Sequence, residues 1–191
     1  MKVAFLNFCV VTACFLFISN GSYADQTVNT LISFDQAINK ASTPKAVVNL
    51  MRKEFTFVED YKLFGLADYW QSPEELWKRK KGDCEDFALF AQYALAHHGM
   101  EAYVISAYGM NGYAHTFVIF KEGGVYHVIN EDRLYRYGSK SIEEAISRVY
   151  PYWSWGAIAK RKGTRGQLIR KILNLFPSSN PSFDPFADFP F

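Results

Sequence analysis

Gly82-Asp83-Cys84-Glu85-Asp86-Phe87-Ala88 is the stretch on which the reading of this chain turns. Gly82 interrupts what precedes it, and from Asp83 to His98 the pattern is helical until Gly99, a residue suited to a left-handed cap. Cys84 therefore stands in the first turn of a helix, where unpaired N–H groups and about half a positive charge favour thiolate over thiol. Ala88, Ala91 and Leu95 lie on the same stripe, so the thiol is expected to face the body of the protein, with room for a strand to pack close. A structural cysteine would sit mid-helix among large apolar residues. This one sits among carboxylates at a helix start, which makes it a candidate nucleophile.

Working outward, Ser72-Pro73-Glu74-Glu75 is a capping box with proline in place, predicting a helix from Pro73 to about Lys80. Two shorter helices are predicted over 34–41 and 44–55, the second with Thr43 as N-cap and Pro44 at its first position, and an extended stretch follows over 55–58. Past Gly99 the period changes to two, predicting strands over 102–108, 115–121 and 125–130, with Glu122-Gly123-Gly124 as the turn between the last two. Ser141 with Glu144 opens a helix to about Val149, and Thr164 with Gln167 opens a last helix to about Phe176. Helices first and antiparallel strands second read as α+β. No internal repeat interrupts this order.

The N-terminus reads as a secretory signal peptide: Lys2, an apolar run of 16 residues from Val3 to Ile18, and a small-x-small site at Ser22-Tyr23-Ala24. That run is shorter than the ~20 residues a membrane helix needs, so no stable membrane insertion is expected after cleavage. A lipid-attachment box at Val11-Thr12-Ala13-Cys14 is the weaker alternative, since an apolar stretch would follow the lipidated cysteine. Cleavage after Ala24 leaves 167 residues, enough for one domain over 25–176 and a tail over 177–191 rich in Ser, Asn, Pro and Phe. It also removes Cys9 and Cys14, so Cys84 remains as the single thiol of an exported, periplasmic or extracellular chain. The formal charge of +2 points away from nucleic acid as a partner.

Four histidines are available as a base for Cys84. His97 and His98 lie at the far end of the cysteine helix, about 20 Å away at ~1.5 Å per residue, and read as helix C-terminal charges. His115 and His127 lie on opposite arms of the hairpin. A four-residue loop over 121–124 sets His115 against Asn130, and a two-residue Gly123-Gly124 loop sets it against Asp132. Either register puts His115, Phe117, Ile119, Tyr126, Val128 and Asn130 on one face and His127 on the other. His115 is therefore the candidate base, with Asn130 or Asp132, according to the loop, as the partner that orients its ring.

Trp70-Gln71-Ser72-Pro73-Glu74-Glu75, the Gly82-to-Ala88 block and Ala114-His115-Thr116-Phe117-Val118 together resemble the bacterial transglutaminase-like cysteine peptidases, over roughly Asp68 to Leu134. The resemblance implies a papain-like fold, with the nucleophile helix packed on an antiparallel sheet that carries the base and its partner. It implies a Cys84, His115, Asn130 triad, where the family usually carries aspartate in the third place. Trp70 matches a family position that supplies an oxyanion donor beside the Cys84 N–H, with Gln71 as the neighbouring choice. Asp83, Glu85 and Asp86 read first as carboxylates complementing the helix dipole and second as a possible calcium site, since some similar enzymes use flanking carboxylates that way. No cofactor is required by this reading. The expected activity is hydrolysis of a peptide or amide bond in a protein substrate by a monomer. Protein cross-linking and an idle peptide-binding module are the alternatives, the second drawing on the aromatic run Tyr150-Pro151-Tyr152-Trp153-Ser154-Trp155.

Overall fold

In a computed structural model the described residues are 32–109 and 112–174. The segments read as signal peptide, lipid-attachment box and tail lie outside them. No helix among the described residues is long and apolar enough to cross a membrane.

The helical half forms where its caps predict. Ser33 caps α1 (Phe34–Lys40), Thr43 caps α2 (Pro44–Glu54), and a short strand β1 (Thr56–Phe57) follows. A five-residue helix α3 (Asp60–Phe64), unforeseen from periodicity, ends on Gly65 in the left-handed region at φ 68°. The Ser72 capping box opens α4 (Pro73–Arg79), and Lys80 closes it, also left-handed at φ 62°. Next comes β2 (Lys81–Gly82), which pairs in parallel with β1, and then the fourteen-residue α5 (Cys84–His97).

Strands β3 (Ala102–Gly109), β4 (Ala114–Glu122) and β5 (Val125–Asn130) lie close to their predicted bounds. Three more belong to the same sheet: β6 (Arg133–Ser139), β7 (Trp153–Lys162) and β8 (Arg165–Leu173), with α6 (Ile142–Val149) between β6 and β7. The strand order is β6-β5-β4-β3-β7-β8 and every neighbouring pair is antiparallel. The architecture is α+β, with the cysteine helix α5 packed on one face of an antiparallel sheet.

The helix predicted from Thr164 to Phe176 is not present over 165–173. Lys162 pairs with Arg165 across Gly163-Thr164, and Gly163 takes φ 62°. Thr164 thus lies in a two-residue hairpin turn, and the residues after it complete a sheet ladder against β7 in place of a helix.

Both faces of the sheet are covered. Val104, Val118, Phe120 and Ile129 pack with Phe90, Ala91 and Leu95 of α5, and with α1, α2 and α4 beyond it. Ile105, Phe117, Ile119, Val128 and Trp153 pack with Ala145 and Ile146 of α6. This explains why β4 reads as the unbroken run Phe117-Val118-Ile119-Phe120: a central strand buried on both faces has no polar side to alternate with.

Candidate active site

Gly82 fixes the approach to the cysteine helix. A Cβ there would collide with the Asp86 carboxylate and come within 2.8 Å of Gln71 Nε2, so only glycine lets the chain pass. Asp83 follows as N-cap, its backbone N–H donating to Asp86 Oδ2 at 3.3 Å. Cys84 is then the first helical residue, half-buried and outside any disulfide.

Its electrostatic setting differs from the sequence expectation. Placement at a helix start predicts an acidified thiol, but burial and the neighbouring Glu85 and Asp83 push the Cys84 thiol well above its ordinary range. The sulfur donates to Glu85 Oε2 at 3.1 Å, and the Thr116 backbone N–H beside it opposes the shift only in part. The helix terminus is outweighed by two carboxylates at close range.

Those carboxylates belong to a larger cluster. Asp60 and Asp68, from α3 and the loop after it, join Asp83, Glu85 and Asp86, with ligand atoms in each group of three within 4.8 Å of one another. Neither Asp60 nor Asp68 is marked in the sequence: each precedes a tyrosine, and no spacing reveals that the segment folds back onto α5. Burial and mutual repulsion raise Asp83 to about 9, and burial above all raises Asp86 to about 7. Asp60 and Glu85 are also raised, chiefly by burial. Tyr69 N–H donates to Asp60 Oδ2 and Asp60 N–H to Asp83 Oδ2, yet Asp60 Oδ1 and Asp83 Oδ1 are buried with no hydrogen-bond donor. Orphaned carboxylate oxygens in a cluster of acids are suited to a hard cation.

His115 and Asn130 meet directly. His115 Nε2 lies 2.7 Å from Asn130 Oδ1, and both residues are buried. The turn is nonetheless the tighter of the two considered, since Glu122 pairs with Val125. Extending that ladder puts Asn130 diagonally across from His115 on one face, still within side-chain reach. Asp132 leaves the face altogether, because Glu131 turns the chain at φ 50° and Asn130 pairs with Arg133 to start β6. Its carboxylate instead accepts from Arg52 Nε at 3.3 Å. Burial lowers the His115 pKa, and the Asn130 bond works against that shift. Thr116, the next residue along β4, carries the N–H set against the Cys84 sulfur. His97 and His98 are occupied elsewhere, with Asn39 Oδ1 and the Ile38 carbonyl, each at 2.9 Å.

Trp70 and Gln71 have structural engagements. The Trp70 indole N–H donates to Asp68 Oδ1 at 2.9 Å, so an oxyanion donor from this ring would first have to leave that carboxylate. Gln71 is fully buried: its backbone N–H and Nε2 both donate to Asp86, Nε2 also to the Lys81 carbonyl, and its Oε1 accepts from Arg79. The donor left at the helix start is the Cys84 backbone N–H.

The profile of the bacterial transglutaminase-like cysteine proteinases matches residues 3–120. Among solved structures, Legionella pneumophila LapG is similar at 22% identity over 53% of this chain and 64% of that chain, with a TM-score of 0.41. This chain thus spans just under two thirds of that chain's length. The calcium-bound form of Legionella pneumophila LapG is similar at 17% identity over 78% of this chain and 80% of that chain, with a TM-score of 0.47. Comparison with curated proteins finds no match. With the profile covering more than half of its residues, the Cys84 block among them, the chain belongs to the bacterial transglutaminase-like cysteine proteinase family.

Proposed function

We propose that this chain is an exported cysteine peptidase acting on protein substrates, with Cys84 as nucleophile, His115 as base and acid, and Asn130 as the residue that orients His115. The observation that carries the reading is the 2.7 Å contact between His115 Nε2 and Asn130 Oδ1, on the strand whose next residue abuts the Cys84 sulfur. With Oδ1 accepting, the imidazole proton sits on Nε2, and Nδ1 keeps a lone pair to take the thiol proton. The thiolate adds to a peptide carbonyl, and the Cys84 N–H donates to the oxygen that becomes negative. His115 then protonates the leaving amine as the thioester forms. Water, deprotonated by the same ring, splits the thioester and restores the thiol. Export is supported by the N-terminal signal pattern, and hydrolysis over cross-linking by the peptidase family.

A calcium ion fits the carboxylate cluster, held by Asp60, Asp83, Glu85 and Asp86 with Asp68 at its margin. The unpaired Asp60 Oδ1 and Asp83 Oδ1 are the oxygens such an ion would satisfy. Bound calcium supplies the positive charge that lets these carboxylates stay ionised together. With that charge in place Glu85 would compete less for the thiol proton, which would be left to His115.

Iodoacetamide alkylation of Cys84 near neutral pH tests both parts. Labelling should be much faster with calcium than with a chelator, and His115→Ala should remove most of the gain. Equal rates in calcium and chelator would sink the metal part. Slow labelling in both, unaltered by His115→Ala, would sink the nucleophile.

A further inference from the structure

The β7–β8 hairpin holds six of the chain's 21 lysines and arginines, Lys160, Arg161, Lys162, Arg165, Arg170 and Lys171, and no acidic residue lies between Trp153 and Leu173. Arg161 is engaged with Glu75 at 2.7 Å. The other five are exposed, and among the described residues none forms an ion pair with a carboxylate. So dense a positive patch stands out on a chain whose formal charge is only +2.

β8 is also the outer strand of the sheet. It is nine residues long with only Ile172 buried, and Leu168, Ile169 and Leu173 are 46%, 59% and 57% exposed. Among the described residues no further strand pairs with its outer side. The opposite edge, β6, is different: Arg136 pairs with Glu122 there, and Asp132 at its start pairs with Arg52. Basic residues on an edge keep out a second copy of the same strand, which would bring like charges together. The same charges favour a strand of opposite sign.

We propose that β8 is a docking edge for an extended acidic segment of a partner protein, which adds to the sheet through backbone hydrogen bonds while its carboxylates meet Lys160, Lys162, Arg165 and Arg170, which share one face of the hairpin, with Lys171 on the other. A lipid surface or a nucleic acid would use the cations but leave the row of backbone donors and acceptors unmatched. This inference does not depend on the peptidase reading.

The probe is an end-blocked peptide of about nine residues, the length of a typical docked strand, alternating glutamate with valine. A control peptide carries proline in place of alternate valines, which removes backbone donors and leaves the charge unchanged. Fluorescence anisotropy at low salt should show the first peptide binding the wild-type chain. The proline peptide should bind at least about tenfold more weakly, as should the first peptide to the Arg165→Glu, Arg170→Glu, Lys171→Glu variant. Glutamine at the same three positions should give an intermediate loss, and matched melting curves show that the variants fold. Amide hydrogen exchange over Leu168–Lys171 should slow when the peptide binds. Equal binding of the two peptides, unchanged exchange, or tighter binding to a single-stranded oligonucleotide or to anionic vesicles would overturn the proposal.

Discussion

The two halves of the candidate site are built on opposite principles. On the sheet side, His115 of β4 and Asn130 of β5 are buried and bonded to each other, on neighbouring strands packed on both faces. On the helix side, five carboxylates crowd together, Asp83 and Glu85 of them beside Cys84, and two of their oxygens are buried without donors. One half is complete from this chain's own groups. The other carries like charges that burial makes costly, so it is finished by protons or by a cation.

The sharpest way to break this comparison is to remove the nucleophile. Cys84→Ser should abolish peptidase activity, and the melting temperature should stay within a few degrees because the change is nearly isosteric. Retained activity in a cleavage assay would end the mechanism as written. On the sheet side, Asn130→Ala should lower activity by about an order of magnitude or more by misorienting His115, while Asn130→Asp should preserve or raise it. Matching kcat/KM for Asn130→Ala and wild type would show that the 2.7 Å contact is only structural.

The helix side should respond with the opposite sign. Asp83→Asn should stabilise the calcium-free protein near neutral pH, by roughly 1 kcal/mol or more, because an amide is buried without the proton uptake that Asp83, raised to about 9, requires on folding. It should also shrink the rise in melting temperature on adding calcium. The pH dependence follows from raised folded-state pKa values. Such carboxyls contribute stability in full below about 4, their unfolded range, and lose it as pH climbs through about 7 for Asp86 and about 9 for Asp83. Calorimetry without calcium should therefore show melting temperature falling across that window, and calcium should flatten the fall. A calcium-free stability that rises over the same range would contradict the cluster's electrostatics. The smallest effect belongs to Asp132→Ala, which breaks a surface ion pair with Arg52 worth about 0–1 kcal/mol and should leave kcat/KM unchanged.

The sequence was most legible where local chemistry decides local structure. Thr43 and Ser72 cap the helices that their spacing predicts, and Gly82 with Asp83 announces α5. The face shared by His115, Phe117, Val128 and Asn130 followed from alternation alone, and that face, more than the register, brought Asn130 to His115. Tertiary context hid the rest. Glu131 in the left-handed region begins β6, and glutamate gives little warning of that conformation. In β8 the pair Thr164 and Gln167 imitates a capping box, and the spacing of Leu168, Ile169, Ile172 and Leu173 imitates one face of a helix. Only the β7 ladder reveals a strand. Asp60 and Asp68 reach the site through a chain reversal that no periodicity encodes.

Gly166 is a point of mechanical contact between the sheet edge and the site. A Cβ there would overlap the Trp70 ring, so the indole occupies the space that a side chain would fill on β8. The same segment is fastened twice more, by Trp70 N–H to the Thr164 carbonyl at 3.0 Å and by Arg161 Nε to the Trp70 carbonyl at 2.6 Å. At its other end the indole N–H holds Asp68. One flat ring therefore joins the sheet's outermost strand to a carboxylate of the acidic pocket. A side chain at position 166 would therefore push on the indole, and through it on the seat of Asp68, from the far side of the sheet's edge.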